Sequence, residues 1–345
     1  MSLPGPAAQS PAQLRTQPSA QLPVIVLVAT GGTIASRIDP ATGLAVPVSS
    51  GAELLAALPG IAGLAQIRVD EFGTIPSPHI TPGQWVDLHD HVATALADDN
   101  VSGVVISHGT GTMEETAWFL DLTISSDKPV VLTGAQRNAS EFDFDGTRNL
   151  LNAVRIAASP KARGLGVLLA MNQHINAARE VLKAHSFDVE AFNSGEWGYL
   201  GNVLGDEVIM HRAPLRRLHI PLVTQTMPDI EIVSMYPGAT ARLLYAAAET
   251  APGVVIQAIG TGHVNPPMYE AIKVLLKRGT KIVSASRIMR GGTRTHYGMD
   301  GSSRRLRDEG VALASDLSVW KARVLLMLAL QTPRSNAEIQ DLFNA

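Results

Sequence analysis

Six short runs of apolar, largely β-branched residues recur along this chain of 345 residues. The runs are continuous rather than alternating in polarity, which is typical of strands buried on both faces of a sheet. They lie at residues 24–29, 103–107, 130–133, 167–170, 254–258 and 281–285. Helical patterns separate or follow them, at residues 83–97, 112–122, 147–158, 267–277, 319–330 and 336–343. Strands that alternate with helices of this length predict an α/β fold with a mainly parallel sheet flanked by helices.

The chain is long enough for two domains of about 150 residues each. Residues 213–237 contain four prolines among Arg, Thr and Asp, and this composition predicts a linker. We therefore expect a larger N-terminal α/β domain at 23–212 and a smaller C-terminal α/β domain at 238–345. Residues 1–22 are rich in Pro, Ser, Gln and Ala and have no apolar run like that of a secretory signal. They predict a disordered N-terminal arm.

Composition excludes several classes of function. The net charge of −3 lacks the positive field that gathers nucleic acid, so no nucleic-acid partner is expected. The chain has no Cys, which excludes disulfides, thiolate metal sites and a cysteine nucleophile. No apolar stretch approaches the ~20 residues of a membrane-spanning helix. His89 and His91 lie too close in sequence to share a helix face, so no metal site is expected. The lack of a secretory signal run in residues 1–22 favours a cytoplasmic protein.

Two predicted strands end in segments rich in Gly and Thr. The first run leads into Thr-Gly-Gly-Thr at 30–33, and the second into His-Gly-Thr-Gly-Thr at 108–112. Ligands of open α/β sheets bind beyond the carboxyl ends of strands, where glycines let the backbone approach closely and threonines offer hydroxyl groups. Neither phosphate-binding glycine motif is matched. A polar turn without a ligand explains either segment alone.

A hydroxyl group is a poor nucleophile unless a nearby base activates it, and a desolvated lysine is one such base. From its local sequence alone, Lys183 is typical of a solvated lysine in a helix or loop. Glu114 and Glu115 open a predicted helix, where acidic residues interact favourably with the helix dipole. The backbone N–H groups at that helix start also suit a carboxylate or an oxyanion. Residues 260–263, Gly-Thr-Gly-His, line the same pocket or form a loop turn.

Together these motifs resemble the bacterial L-asparaginase family, the asparaginase/glutaminase amidohydrolases. The resemblance extends from about residue 23 to residue 345. It is carried by residues 29–35, 108–110 with 112–116, 128–131, 145–146 with 149–150, and 321–324. Two separate signatures at two strand ends, in order and at similar spacing, make the resemblance specific.

The resemblance implies an amidohydrolase that converts the side-chain amide of asparagine, or of a similar compound, to a carboxylate and ammonia without a cofactor. It also implies a homotetramer in which the C-terminal domain of a neighbouring subunit completes each site. By motif position Thr33 is the nucleophile, Thr110 the second threonine and Lys183 its paired base. The predicted substrate-binding residues are Gly32, Ser77, Gly109 and Gly111.

The sequence departs from the family pattern at three places. Gly111 stands where the family has an Asp that contacts the substrate's α-ammonium and orients the lysine. Pro78 stands where Gln or Asp is common, and no Tyr precedes Tyr199 to supply the family's mobile-loop tyrosine. Four residues are candidates to compensate: Asp39, His79, Glu114 and Asp300.

Two alternatives therefore stay open beside the asparaginase hypothesis. The first is a related enzyme for an amide or lactam that lacks a free α-ammonium. The second is a non-catalytic protein that binds a ligand on the same scaffold.

Overall fold

The computed structural model of the protein describes residues 21–47, 49–58 and 60–345. Its N-terminal part is built on an eight-stranded sheet with the order β12-β11-β8-β7-β6-β5-β1-β4. The strands of this part, including two small hairpins, are β1 (Val24–Ala29), β2 (Ser36–Ile38), β3 (Ala45–Pro47), β4 (Gln66–Glu71), β5 (Val101–Ser107), β6 (Val130–Thr133), β7 (Val167–Met171), β8 (His174–Ala177), β9 (Leu182–Lys183), β10 (Phe192–Asn193), β11 (Gly201–Leu204) and β12 (Glu207–Met210). The five adjacent strands β4, β1, β5, β6 and β7 are parallel to one another. Strands β8, β11 and β12 extend the sheet as antiparallel neighbours.

Helices cover both faces of the large sheet because β1 is apolar on both. Ile25 and Leu27 pack into one core, while Val26 and Val28 pack into the other. The helices of this part are α1 (Gly51–Ala56), α2 (Pro82–Ala97), α3 (Met113–Thr123) and α4 (Gly146–Ala158). Every residue of α3 except Glu115 is buried, which marks it as a helix enclosed on all sides.

A smaller sheet of four parallel strands forms the C-terminal part, in the order β13-β14-β15-β16. Its strands are β13 (Ile230–Ser234), β14 (Gly253–Ala258), β15 (Lys281–Ser286) and β16 (Ala312–Leu313). Its helices are α5 (Arg242–Thr250), α6 (Pro266–Lys277), α7 (Ser303–Asp308), α8 (Val319–Ala329) and α9 (Asn336–Asn344). Helix α8 begins at the cap Ser318 and packs against α3 of the larger part.

The predicted fold class is confirmed: the protein is mixed α/β, with a large, mostly parallel sheet flanked by helices and a smaller C-terminal part. The six predicted strands and six predicted helices all occur, with ends shifted by at most two residues. One correction concerns the linker predicted at 213–237. Strand β13 lies within it, because Ile230, Ile232 and Val233 pair with β14 and supply apolar side chains to the smaller part. The arm predicted at 1–22 falls almost wholly outside the described residues.

The loops that follow β1 and β5 are in direct backbone contact. The two strands are parallel neighbours, with Ala29 opposite Ser107 at their carboxyl ends. Gly32 has a φ of 88°, and a Cβ atom placed there would overlap the backbone nitrogen of Gly109 and lie 2.9 Å from the carbonyl carbon of His108. Only glycine fits at position 32, because a side chain would collide with rigid backbone and also strain its own.

We expect Gly32→Ala to lower the free energy of unfolding by at least ~3 kcal/mol, since overpacking adds to left-handed backbone strain. Gly43→Ala is the matched control. Gly43 has a similar φ of 68°, but a Cβ atom placed there would meet no described atom within 4 Å, so strain alone should cost about 1–2 kcal/mol. Urea unfolding measures both variants. Equal losses would show that the contact with Gly109 is not tight.

Candidate active site

The two predicted threonines lie at the same edge of the large sheet. Thr33 opens a short 3-10 turn directly after Gly32, and Thr110 directly follows Gly109. Because Gly32 packs on Gly109, the residues that follow them are held on adjacent loops. Thr110 is buried, and Thr33 is half-buried.

Lys183 reaches this edge from the short strand β9. Its Nζ donates a hydrogen bond to Oγ1 of Thr110, with a nitrogen–oxygen distance of 2.7 Å. The side chain is half-buried, and this burial lowers the pKa of Lys183 below its ordinary 10.5, while the charge of Glu114 opposes the shift. A lowered pKa increases the neutral fraction of the amine, which is the form that accepts a proton.

Glu114 lies in the first turn of α3 and is only 7% exposed. Its Oε1 accepts a hydrogen bond from the backbone N–H of Lys183, at 3.3 Å. Its Oε2 is fully buried and has no hydrogen-bond partner among the described residues. Burial raises the pKa of Glu114, and the charges of Lys321 and Lys183 pull it back.

Lys321 supports this arrangement from the C-terminal part. It is 1% exposed, and its ammonium donates to the backbone carbonyls of Ala178, Arg179 and Val181. Burial lowers the pKa of Lys321 to about 8, and the charge of Glu114 opposes that shift. Lys321 thus fixes the backbone that leads into β9 and places a cation near Glu114.

Ser77 reaches the site through the loop that follows β4. Its Oγ accepts a hydrogen bond from the backbone N–H of Gly111, at 3.2 Å, and its carbonyl accepts one from Oγ1 of Thr112. The structure therefore brings together all seven predicted site residues: Gly32, Thr33, Ser77, Gly109, Thr110, Gly111 and Lys183. Their roles stay predictions.

Of the four candidates to compensate for Gly111, only Glu114 contacts Lys183. His79 and Asp300 are exposed, and Asp39 binds within its own turn, through Ala41 and Thr42. The segment 260–263 bonds within the C-terminal part, where His263 contacts Thr261 and Ser303.

The His89 and His91 pair does not converge on a common ligand. His89 contacts Asp90, and His91 contacts Asp70. Within the described ranges no group of three or more His, Cys, Asp or Glu residues has the arrangement of a metal site.

An open cavity of about 510 Å³ lies beside Lys183. Its lining residues are Gly111, Glu114, Glu115, Lys183, Ala184, His185, Ser186 and Trp320. A smaller cavity of about 130 Å³ shares Glu114, Lys183 and Trp320 with it and adds Arg287 and Met289. Lys183, which lines both cavities, is therefore accessible to a small molecule.

Two features beside the site were not predicted from the sequence. Glu114 is buried, and Lys321 extends from the C-terminal part to the segment before β9. Lys321 lies in a helix that is apolar nearly all round, Val319–Ala329. A charged residue in a helix with no polar face is the signal that could have found it, because such a charge must be paired inside the protein. The sequence of Met113–Thr123 contains several polar residues and gives no comparable signal for Glu114.

Two family models match the chain consecutively. The model of the asparaginase N-terminal domain matches residues 24–216, and that of the glutaminase/asparaginase C-terminal domain matches residues 229–343. The chain belongs to the asparaginase family. The resemblance stated from the motifs is thereby confirmed, and with it the expectation of an asparaginase-type amidohydrolase at the level of the family.

Several relatives align with almost the whole length of this chain. An L-asparaginase of Bacillus licheniformis is 35% identical over 92% of this chain and 98% of its own. A glutaminase-asparaginase of Pseudomonas fluorescens is 33% identical over 92% of this chain and 89% of its own. A crystal structure of a probable cytoplasmic L-asparaginase from Campylobacter jejuni superposes with a TM-score of 0.85, at 34% identity, covering 93% of this chain and 99% of its own.

Names of family members point to two cellular locations. The Campylobacter protein is named cytoplasmic, whereas a relative from Haemophilus influenzae, 34% identical over 94% of this chain and 93% of its own, is named periplasmic. None of the helices in the described ranges is long and apolar enough to cross a membrane. The cytoplasmic location stays a prediction.

Glu115 provides a test of the buried charges beside the site. Burial, reinforced by the charge of Glu114, raises its pKa from 4.5 to about 7. A raised carboxyl pKa contributes stability that is complete below pH 4.5 and is lost as the pH rises through 7. Above that pH the fold must hold a poorly solvated carboxylate.

We expect Glu115→Gln to raise the free energy of unfolding by roughly 2–3 kcal/mol at pH 8 and by less than about 1 kcal/mol at pH 5. Urea unfolding at the two pH values measures this difference. A gain that is the same at both would mean that Glu115 titrates normally.

Proposed function

We propose that the protein hydrolyses the side-chain amide of asparagine, or of an asparagine-like compound, to a carboxylate and ammonia through a threonine nucleophile. The observation that carries this proposal is the 2.7 Å hydrogen bond between Nζ of Lys183 and Oγ1 of Thr110. A lysine with a lowered pKa on a buried threonine is the kind of pair that moves a proton at neutral pH. A ligand-binding protein without turnover has no need of such a pair, which counts against that alternative.

The reaction proceeds through an acyl-enzyme. Oγ1 of Thr33 adds to the amide carbonyl carbon, and its proton passes to the pair formed by Thr110 and neutral Lys183. Backbone N–H groups of the glycine-rich loops stabilise the oxyanion. The carbon–nitrogen bond then breaks as the amide nitrogen takes up the proton and leaves as ammonia. Water attacks the resulting ester, which releases the carboxylic acid and restores the hydroxyl of Thr33.

Three substitutions separate the roles of these residues. We expect Thr33→Ala, Thr110→Ala and Lys183→Met each to lower kcat by at least about 10³-fold while the protein stays folded. The double variant Thr110→Ala/Lys183→Met should be no slower than its single parents, because residues that act as one unit are not additive. Release of ammonia measures turnover.

Exposed residues provide the matched controls. Thr226→Ala and Lys277→Met should leave kcat unchanged, because both residues are exposed and neither lines the cavities beside Lys183. If Thr33→Ala kept more than a few per cent of kcat, Thr33 would not be the nucleophile, and Thr110 would take that role.

A second candidate substrate is an amide without an α-ammonium, such as succinamate, or a related lactam. The absence of a carboxylate at Gly111 favours it. The backbone N–H of Gly111 donates to Ser77, and this position has no side chain that could accept from an ammonium. A hydrogen bond to a charged group contributes about 1.5–3 kcal/mol, so asparagine should lose roughly 10–100-fold in kcat/KM relative to a site that has the acid.

We expect Gly111→Asp to raise kcat/KM for asparagine by about 10-fold or more and to lower it for succinamate. A Cβ at position 111 lies 2.8 Å from Oγ of Ser77, so that hydroxyl must rotate in any variant with a side chain there. Gly111→Ala is the matched control, because it has the same Cβ without the carboxylate. Identical substrate ratios for the two variants would mean that another acid already holds the ammonium.

We also propose that the protein acts as a cytoplasmic homotetramer with sites shared between subunits, that it needs no cofactor or metal, and that its partner is a small molecule rather than a nucleic acid or a membrane. Support for the assembly comes from the family resemblance and from apolar side chains around the Lys183 cavities. Ile288, Met289 and Trp320 are exposed there. Coverage by a neighbouring subunit would bury them.

A further inference from the structure

The chain has lost the acid at position 111, yet Lys183 still has a carboxylate beside it. That carboxylate belongs to Glu114, in the first turn of α3, whose Oε1 accepts a hydrogen bond from the backbone N–H of Lys183. Glu114 also lines both cavities that Lys183 lines. We propose that Glu114 is the positioning residue that supplies negative charge to Lys183 in this chain, in place of an acid at position 111.

The geometry of Glu114 separates two tasks that one Asp performs in the family. Its Oε1 contacts the backbone N–H of Lys183, and its charge acts on the ammonium of the same residue. Its Oε2 is fully buried, so one oxygen is engaged by β9 and the other is shielded from a substrate in the cavity. Glu114 therefore serves the base and does not bind an α-ammonium. This inference rests on the proposed function, because it assigns Lys183 the role of base.

The unpaired Oε2 is the feature that a purely structural role leaves unexplained. Acidic residues at a helix start usually stay in water, where they interact with the helix dipole at little cost. Glu114 is instead 7% exposed, and half of its carboxylate lacks a hydrogen-bond partner in the described part of the chain. Burial of such a group is costly unless nearby cations compensate, and Lys183 and Lys321 are the cations that act on it.

Other charges around Lys183 must stay constant for a test to be clean. The titratable and charged groups on the elements packed around it, besides Glu114, are Glu115 on α3, Lys321 and Arg323 on α8, Arg287 after β15, and His185 after β9. Of these, Glu115 is the matched control, because it is also a glutamate and directly follows Glu114 in the chain. Its electrostatic partners are Glu114, Arg323 and Lys321, and Lys183 is not among them.

The test is competitive acetylation with acetic anhydride across a pH series, followed by mass spectrometry of the peptide that contains Lys183. The labelling rate reports the neutral fraction of the amine and needs no turnover. Exposed Lys277 serves as the internal reference. Glu114→Gln keeps an oxygen for the backbone N–H of Lys183 but removes the charge, so we expect the midpoint of Lys183 to fall by about one pH unit or more.

Matched variants decide between charge and structure. Glu115→Gln should move the midpoint of Lys183 by less than about 0.3 pH unit, and Glu114→Asp should lower it less than Glu114→Gln does. A shift in Glu114→Gln no larger than that in Glu115→Gln would overturn the proposal. If Glu114→Gln fails to fold, Glu114→Met takes its place, because it also removes the charge, and an unchanged midpoint of Lys183 in that variant would overturn the proposal.

A kinetic measurement completes the test. If Lys183 is the base, the acidic limb of the kcat profile should move to lower pH in Glu114→Gln, by the same amount for asparagine and for succinamate. A shift for asparagine alone would mean that Glu114 contacts substrate, against the proposal. Absence of amide hydrolysis in the wild-type protein would refute the proposed function and leave the labelling result valid for Glu114.

Discussion

The backbone contact between Gly32 and Gly109 is the constraint on which the site depends. Parallel pairing of β1 with β5 brings two strand ends to one edge, and the contact then sets how closely the two loops approach. This contact determines the positions of Thr33 and Thr110, since each directly follows one of the two glycines. Lys183 completes the arrangement by its bond to Thr110.

Beneath the threonines lies a cluster of charges whose burial shifts their pKa values in opposite directions. Burial raises the pKa of the carboxyl groups of Glu114 and Glu115 and lowers that of the amines of Lys183 and Lys321. Each of these shifts moves the pKa of the group towards neutral pH, and the attraction between carboxylates and ammonium groups limits the size of the shift. Shifts in these directions are common at sites of acid–base chemistry.

Sequence patterns predicted the buried elements well and the site only in part. The central strands are apolar on both faces and therefore stand out, whereas β4 was missed because it is a polar edge strand with alternating Gln, Arg and Asp. Strand β9 has only two residues, too few for any periodicity. The bond between Lys183 and Thr110 joins residues 73 positions apart, and no local pattern encodes it. The resemblance to the family was needed to pair them. The packing of α3 against α8 then buried Glu114, which its position at a helix start did not indicate.

The reach of Lys321 bears on how the two halves of the chain can be recombined. Lys321 lies on α8, yet its ammonium donates hydrogen bonds to three carbonyl groups of the segment that leads to Lys183. In addition, Nε1 of Trp118 on α3 donates a hydrogen bond to the backbone carbonyl of Lys321. An isolated N-terminal half would leave those carbonyls without the Lys321 ammonium and Glu114 with only one of its two cations, Lys183. A chimaera made by exchanging halves between relatives would have to retain this helix with its lysine. The halves are thus not interchangeable modules, although each is built on its own sheet.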